Sequence, residues 1–313
     1  MKFIDLHCDT IYKIRKDEKI TMLSNNLSVD LCKMKNSGSI AQFFALFVCL
    51  DETKTPFNEA LYMYNIFKNE MDKNSDIVKF GKSYEDLNNN IPCCFLTLEE
   101  GAVIEGSLQN LKEFFNLGVR LMTLTWNFPN EIGFPNFEMK YKDMGLTPFG
   151  KDVVQQMNEL NMIIDVSHLS DEGFYNVADI SSKPFLASHS NSRTVTNHYR
   201  NLSDDMLKIL GNKGGLAGLN FEKTFLGNSP YGRISEMVNH IKHMVNIGGI
   251  EIMALGSDFD GIETPSEIND ISQMDKLYYA LKDNGFKESD IEKIFFKNGM
   301  RFLKDTLSGV KND

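Results

Sequence analysis

Short apolar runs punctuate this chain, each followed by a longer stretch in which apolar positions recur at helical spacing. Eight runs stand out: Phe3–Thr10, Ala41–Leu50, Cys93–Leu98, Arg120–Trp126, Met162–Val166, Pro184–Ser188, Gly215–Phe221 and Glu251–Gly256. Continuous rather than alternating apolarity, clearest in Ala41–Leu50, marks a strand buried on both faces, the signature of a parallel sheet. Between the runs lie helix signals. Thr55-Pro56 is a cap followed by proline at the first helical position, ahead of a stripe of Ala60, Leu61, Tyr64, Phe67 and Met71. Thr147-Pro148 repeats the signal ahead of Val153, Val154, Met157 and Leu160. Further helices are predicted over Leu108–Phe115, from Ser170, over Ser203–Leu210, over Ile234–Val245 and within Ile271–Leu307. Leu27–Asn36 reads as loop with a helical turn, and Asn127–Gly145 as a lid or binding loop. Eight strands alternating with helices predict an α/β fold, a (β/α)8 TIM barrel forming one catalytic domain over residues 1–313.

Composition narrows the function classes. The 313 residues carry a formal net charge of -10, which argues against nucleic acid and anionic membrane surfaces as partners. No apolar run approaches the roughly 20 residues that span a bilayer, and the N-terminus lacks a basic segment followed by an apolar signal region, so a cytoplasmic location is expected. The five cysteines, Cys8, Cys32, Cys49, Cys93 and Cys94, form an odd set without paired metal spacing and read as free thiols. No glycine-rich phosphate loop follows any strand.

The chemistry collects at strand ends. His7 and Asp9 lie two residues apart in the first run, so in an extended strand both point to one side and can close on one cation. Glu99, His168 and His189 each fall just past a later run, and Asp258 follows the eighth. In a TIM barrel all of these share the C-terminal mouth, where active sites sit. Several neighbours carry blander readings. His240 and His243 are expected on a helix surface, and Cys8 on the opposite strand face in a packing role. Asp5 and Asp165 are either carboxylates that orient a ligating imidazole or satisfied strand residues. His198 lies two residues before Arg200, with a direct substrate role as the lesser reading.

From His7-Cys8-Asp9 through Asp165-Val166-Ser167-His168, Ser188-His189-Ser190 and Asp258-Phe259-Asp260-Gly261, the chain resembles the membrane dipeptidase (renal dipeptidase, peptidase M19) family in its microbial type. The resemblance implies two Zn2+ ions per chain, with His7 and Asp9 on the first, His168 and His189 on the second, and Glu99 bridging both. It further implies a nucleophilic hydroxide between the ions, Asp258 as the catalytic proton acceptor, Arg200 on the substrate carboxylate, and a homodimer. Glu100 would point to the other side of its strand, so Glu99 is the favoured bridge. Where animal members carry a His after Thr-Leu-Thr, this chain has Trp126-Asn127, leaving Asn127 or the second zinc to polarise the substrate carbonyl. The reaction implied is hydrolysis of small dipeptides; another amide or lactam substrate on the same metals is the alternative.

Overall fold

The computed structural model describes residues 1–17, 19–88 and 90–310. Nine parallel strands form the sheet: β1 (Phe3–Cys8), β2 (Ser39–Phe47), β3 (Lys79–Gly81), β4 (Cys93–Glu99), β5 (Val119–Thr123), β6 (Ile163–Asp165), β7 (Leu186–Ala187), β8 (Leu216–Leu219) and β9 (Met253–Leu255). They run in the order β2-β1-β9-β8-β7-β6-β5-β4-β3, and β2 also pairs with β4, which closes eight of them into the expected TIM barrel. The ninth, β3, was not foreseen. It pairs with Cys93–Phe95 at the start of β4, below the point where β5 joins at Leu96.

Helices form where their capping chemistry dictates. Ser107, Thr147, Ser170 and Ser203 each accept a backbone N–H three residues on, satisfying a donor the first helical turn leaves free. Asp30 does the same for a helix over Leu31–Ser37, giving regular structure to part of the stretch read as loop. The C-terminal region divides into helices at Asp275–Asp283, Glu288–Glu292 and Asn298–Leu307, the last two joined by a wide turn at Lys293–Lys297.

Two apolar layers hold the barrel. Outward residues such as Phe44, Leu96, Leu98 and Met122 pack under the helices. Inward residues Ile4, Leu6, Phe43, Phe95, Leu121 and Leu216 fill the barrel floor. Strand β4 shows how the site is raised above that floor. Outward Cys94, Leu96 and Leu98 alternate with inward Phe95, then Thr97, then Glu99, so one strand climbs from apolar plug to polar layer to open mouth.

Candidate metal centre

Strand β1 ends at Cys8, and Asp9 is the single residue between it and the helix Thr10–Lys16. The pair therefore does not share one regular strand, yet His7 Nε2 lies 3.3 Å from Asp9 Oδ2. Glu99 divides its two oxygens between two groups. Oε2 is 3.3 Å from His7 Nε2, while Oε1 is 3.3 Å from His168 Nε2 and 3.5 Å from His189 Nε2. Asp258 Oδ1 lies 3.9 Å from His7 Nε2, and its other oxygen accepts from Asn220 Nδ2 at 2.9 Å. A Cβ on Gly261 would collide with both Asp9 and Asp258, so glycine is what permits these carboxylates to approach. Both His168 and Asp258 adopt left-handed backbone, φ 66° and φ 63°, at the points where they turn into the mouth.

Hydrogen bonds define which imidazole nitrogens are bare. Asp165 accepts the hydroxyl of Ser188, so the Ser188 oxygen is free to accept from His189 Nδ1 at 2.7 Å, leaving Nε2 unprotonated. Asn127 Oδ1 lies 3.1 Å from His168 Nδ1 and can only accept there, leaving His168 Nε2 unprotonated as well. The two bare Nε2 atoms then face each other 3.0 Å apart. Two lone pairs in that position repel unless a cation is set between the donors and Glu99. His7 Nδ1 and Asp9 Oδ1 are likewise buried without a hydrogen-bond partner, and His7 Nε2 meets only carboxylate oxygens at 3.3 Å or more, which is costly without a ligand. Burial and the neighbouring Arg200 and His7 hold His168 and His189 well below their ordinary pKa. Burial opposes protonation of His7 too, but Glu99 and Asp9 outweigh it and push its pKa well above the usual value. Imidazole nitrogens and carboxylates in these two sets, His7-Glu99-His189 and His7-Asp9-Asp258, match a site for borderline divalent cations.

A cavity of about 370 Å³ opens over this centre, walled by Tyr12, Phe47 and Trp126 on one side and by Arg200, Glu222 and Phe225 on another. Arg200 is 3% exposed, with its guanidinium carbon 5.4 Å from the centre of the Phe225 ring. It donates to the His189 carbonyl (3.2 Å) and to Ser190 Oγ (3.4 Å), its Nε has no partner, and no described carboxylate forms an ion pair with it.

Asn127 lines the cavity and also touches His168. Glu100 turns away, as the alternation of β4 requires, and burial pushes its pKa up to about 7. Asp165 reaches His189 through Ser188, whereas Asp5 accepts from Ser257 N (2.8 Å) and Gln42 Nε2 (2.9 Å) and ties β1 to its neighbours. Cys8 packs in the outer apolar layer. His198 stands behind Arg200, its Nδ1 accepting from the Arg200 backbone N–H at 3.2 Å. His240 is not on the surface. It is fully buried, accepts from Ser192 N at Nδ1 (3.1 Å) and lies 3.0 Å from the Leu226 carbonyl at Nε2. His243 is partly buried against Asp204 at 2.8 Å. The expected lid over Asn127–Gly145 is pinned beside His168, with Asn136 N donating to the His168 carbonyl (2.7 Å) and Ser170 N to the Phe134 carbonyl (2.9 Å). Ser188 and Asn220 were not singled out as site residues, although Asn220 follows β8 directly and the strand-end rule reaches it.

Known proteins share this arrangement of strands. A crystal structure of a dipeptidase, a metallopeptidase of family M19, superposes with a TM-score of 0.90 at 25% identity, covering 98% of this chain and 99% of that one. A metallopeptidase from Rhodobacter sphaeroides, liganded with a phosphinate mimic of the dipeptide L-Ala-D-Ala, superposes with a TM-score of 0.89 at 24% identity over 98% and 99% of the two chains. An uncharacterized dipeptidase of Schizosaccharomyces pombe is 29% identical over 97% of this chain and 80% of its own length. The sequence model of the membrane dipeptidase family matches residues 1–312, and the chain belongs to that family, the metal-dependent dipeptidases of peptidase family M19.

Proposed function

We propose that the protein is a zinc-dependent dipeptidase that hydrolyses the peptide bond of small dipeptides with a free C-terminal carboxylate. Zinc is the cation best suited to this mixture of imidazole and carboxylate, with His7, Asp9, Glu99, His168 and His189 as the residues that would hold two ions. When bound, a zinc pair supplies Lewis acidity toward the carbonyl and a water acidic enough to act as hydroxide near neutral pH.

The observation that carries the reading is the Arg200 guanidinium, a buried cation aimed at the cavity without an anionic partner. Burying a charge unpaired costs several kcal/mol, and a substrate carboxylate docking there would offset that cost while fixing the scissile bond at one residue from the C-terminus. The phosphinate dipeptide mimic bound by the Rhodobacter protein supports the same substrate class. Asn127 Oδ1 is committed to His168, so its amide N–H2 is the end left to donate to the substrate carbonyl. Asp258 is the proton carrier. Its Oδ2 is held by Asn220, and Oδ1 takes a proton from the attacking water and returns it to the leaving amine. Burial, and then Asp9 and Glu99, push its pKa up to about 8 against the pull of His7; divalent cations beside it would lower that value and free the carboxylate to accept a proton near neutral pH.

The test compares a dipeptide with the same dipeptide amidated at its C-terminus. A guanidinium–carboxylate fork contributes about 1.5 to 3 kcal/mol, so Arg200→Ala should lower kcat/KM for the acid roughly 10- to 150-fold and barely change the already poor rate on the amide. Equal cleavage of acid and amide by the unmodified enzyme would refute the dipeptidase reading in favour of a broader amidohydrolase.

A further inference from the structure

We propose that Glu100 is a positioning residue, whose buried carboxylate clamps the end of β4 to the loop after β5 and thereby holds Trp126 and Asn127 in the wall of the cavity. Glu100 is fully buried and occupies backbone at φ 103°, ψ 104°, a region where a side chain is a liability unless it is needed. Its side chain has a use there. Oε2 accepts the Trp126 backbone N–H at 3.0 Å, while Oε1 accepts the Ala102 N–H at 2.8 Å and the Asn130 side-chain amide. Asn130 completes the clamp by donating to the Leu124 carbonyl (2.9 Å) and accepting from Ile132 N (2.8 Å) and Gly133 N (3.1 Å). Gly101 fits the same purpose, because a Cβ there would strike the Leu124 carbonyl and force the two strand ends apart.

What the clamp holds is functional surface. Trp126 stacks edge-on to Phe47 at 4.7 Å and lies 6.2 Å from the His168 ring, and the adjacent Asn127 accepts from His168 Nδ1, which leaves His168 Nε2 bare. Glu100 touches no ligating atom of the centre and acts only through this loop. The kinetic part of the inference rests on the hydrolytic reading above; the positional part stands on the geometry alone.

Trp126 is the only tryptophan in the chain, so its fluorescence reports this loop and nothing else. The experiment measures acrylamide quenching, zinc content and kinetics on the zinc-loaded full chain for Glu100→Gly, Glu100→Gln and Asn130→Ala. Glu100→Gly suits the backbone and removes only the clamp. It should expose Trp126 to quencher, keep two zinc ions, and lower kcat for a dipeptide by roughly ten- to a hundredfold, as small misplacements of positioning groups do. Glu100→Gln retains one acceptor oxygen and should fall between it and the unmodified enzyme. Asn130→Ala opens the clamp from the far side, leaving the metal strand untouched, and keeps the test decisive if Glu100→Gly does not fold. The Glu100→Gly, Asn130→Ala double variant should be no worse than the more affected single one, because both break one unit. Unchanged Trp126 quenching in Asn130→Ala and in any folded Glu100 variant would overturn the proposal, as would loss of zinc from Glu100→Gly comparable to that from Glu99→Gln.

Discussion

His240 offers a stability test that is independent of catalysis. Its Nδ1 accepts from the Ser192 N–H, so the ring proton sits on Nε2, which donates to the Leu226 carbonyl. A second proton on Nδ1 would meet an N–H head-on in a site with no exposure to solvent. Burial, and then nearby His243, lower the pKa to about 4 from 6.5, although the Leu226 carbonyl works in the opposite direction. A depressed folded-state value means that the unfolded chain binds the extra proton between pH 6.5 and 4. The stabilisation is therefore fully present above pH 6.5 and is lost as pH falls toward 4. The whole shift corresponds to about 3 kcal/mol, of which about 2 kcal/mol disappears between pH 7 and pH 5. His240→Gln carries no titrating group at this position. Urea unfolding of both proteins at pH 7 and at pH 5 should show the variant less stable at pH 7 and the gap narrowing by about 2 kcal/mol at pH 5. Acid effects on the metal centre are common to both proteins and cancel in the difference. A gap that stays constant between the two pH values would refute the reasoning.

The remaining expectations concern the centre itself. Elemental analysis of active protein should find about two zinc ions per chain, removed with activity by a strong chelator, and Glu99→Gln should lose both because each oxygen faces a different half of the site. Asp258→Asn should keep its zinc and its affinity for substrate while kcat falls about 10²- to 10⁴-fold; loss of metal in this variant would identify Asp258 as a ligand instead. Ser188→Ala removes the acceptor for His189 Nδ1–H, and titration with a competing chelator should find zinc bound roughly 10- to 100-fold more weakly, with Ser188→Thr largely restoring it.

The barrel was legible because its strands are apolar on both faces, and that pattern survives without knowledge of the partner strands. The runs overshoot the strands, as in Pro184–Ser188 against Leu186–Ala187, because the chain on either side of the ladder, at Phe185 and Ser188, is still buried. The short β3 escaped notice for the converse reason. Lys79 and Phe80 are only partly buried, so three residues at a sheet margin carry no continuous apolar signal. His240 was misread although its position held the answer. It lies three residues after Met237 and four before Met244, on the stripe that the helix Ile234–Gly248 buries. A polar residue on an apolar stripe needs partners, and those come from Ser192 and Leu226, which lie far from it in sequence.

The same distance effect separates ligands from the groups that orient them. A ligand announces itself by type and by its place at a strand end, both properties of local sequence. The orientation of an imidazole depends on a second residue whose relevance appears only once the barrel has closed. Asp165 and Asp5 look alike in sequence, each an aspartate inside a strand two or three residues before a histidine. They part company through their neighbours on adjoining strands: Ser188, 23 residues from Asp165, relays its charge to a ring nitrogen, whereas Ser257 and Gln42 hold Asp5 away from any ring. Exchanging those surroundings, and not the aspartates, would exchange their roles. Ser188→Ala should therefore weaken the metal site while leaving Asp165 in place, held by Thr123 Oγ1 and by the backbone N–H groups of residues 167 and 188.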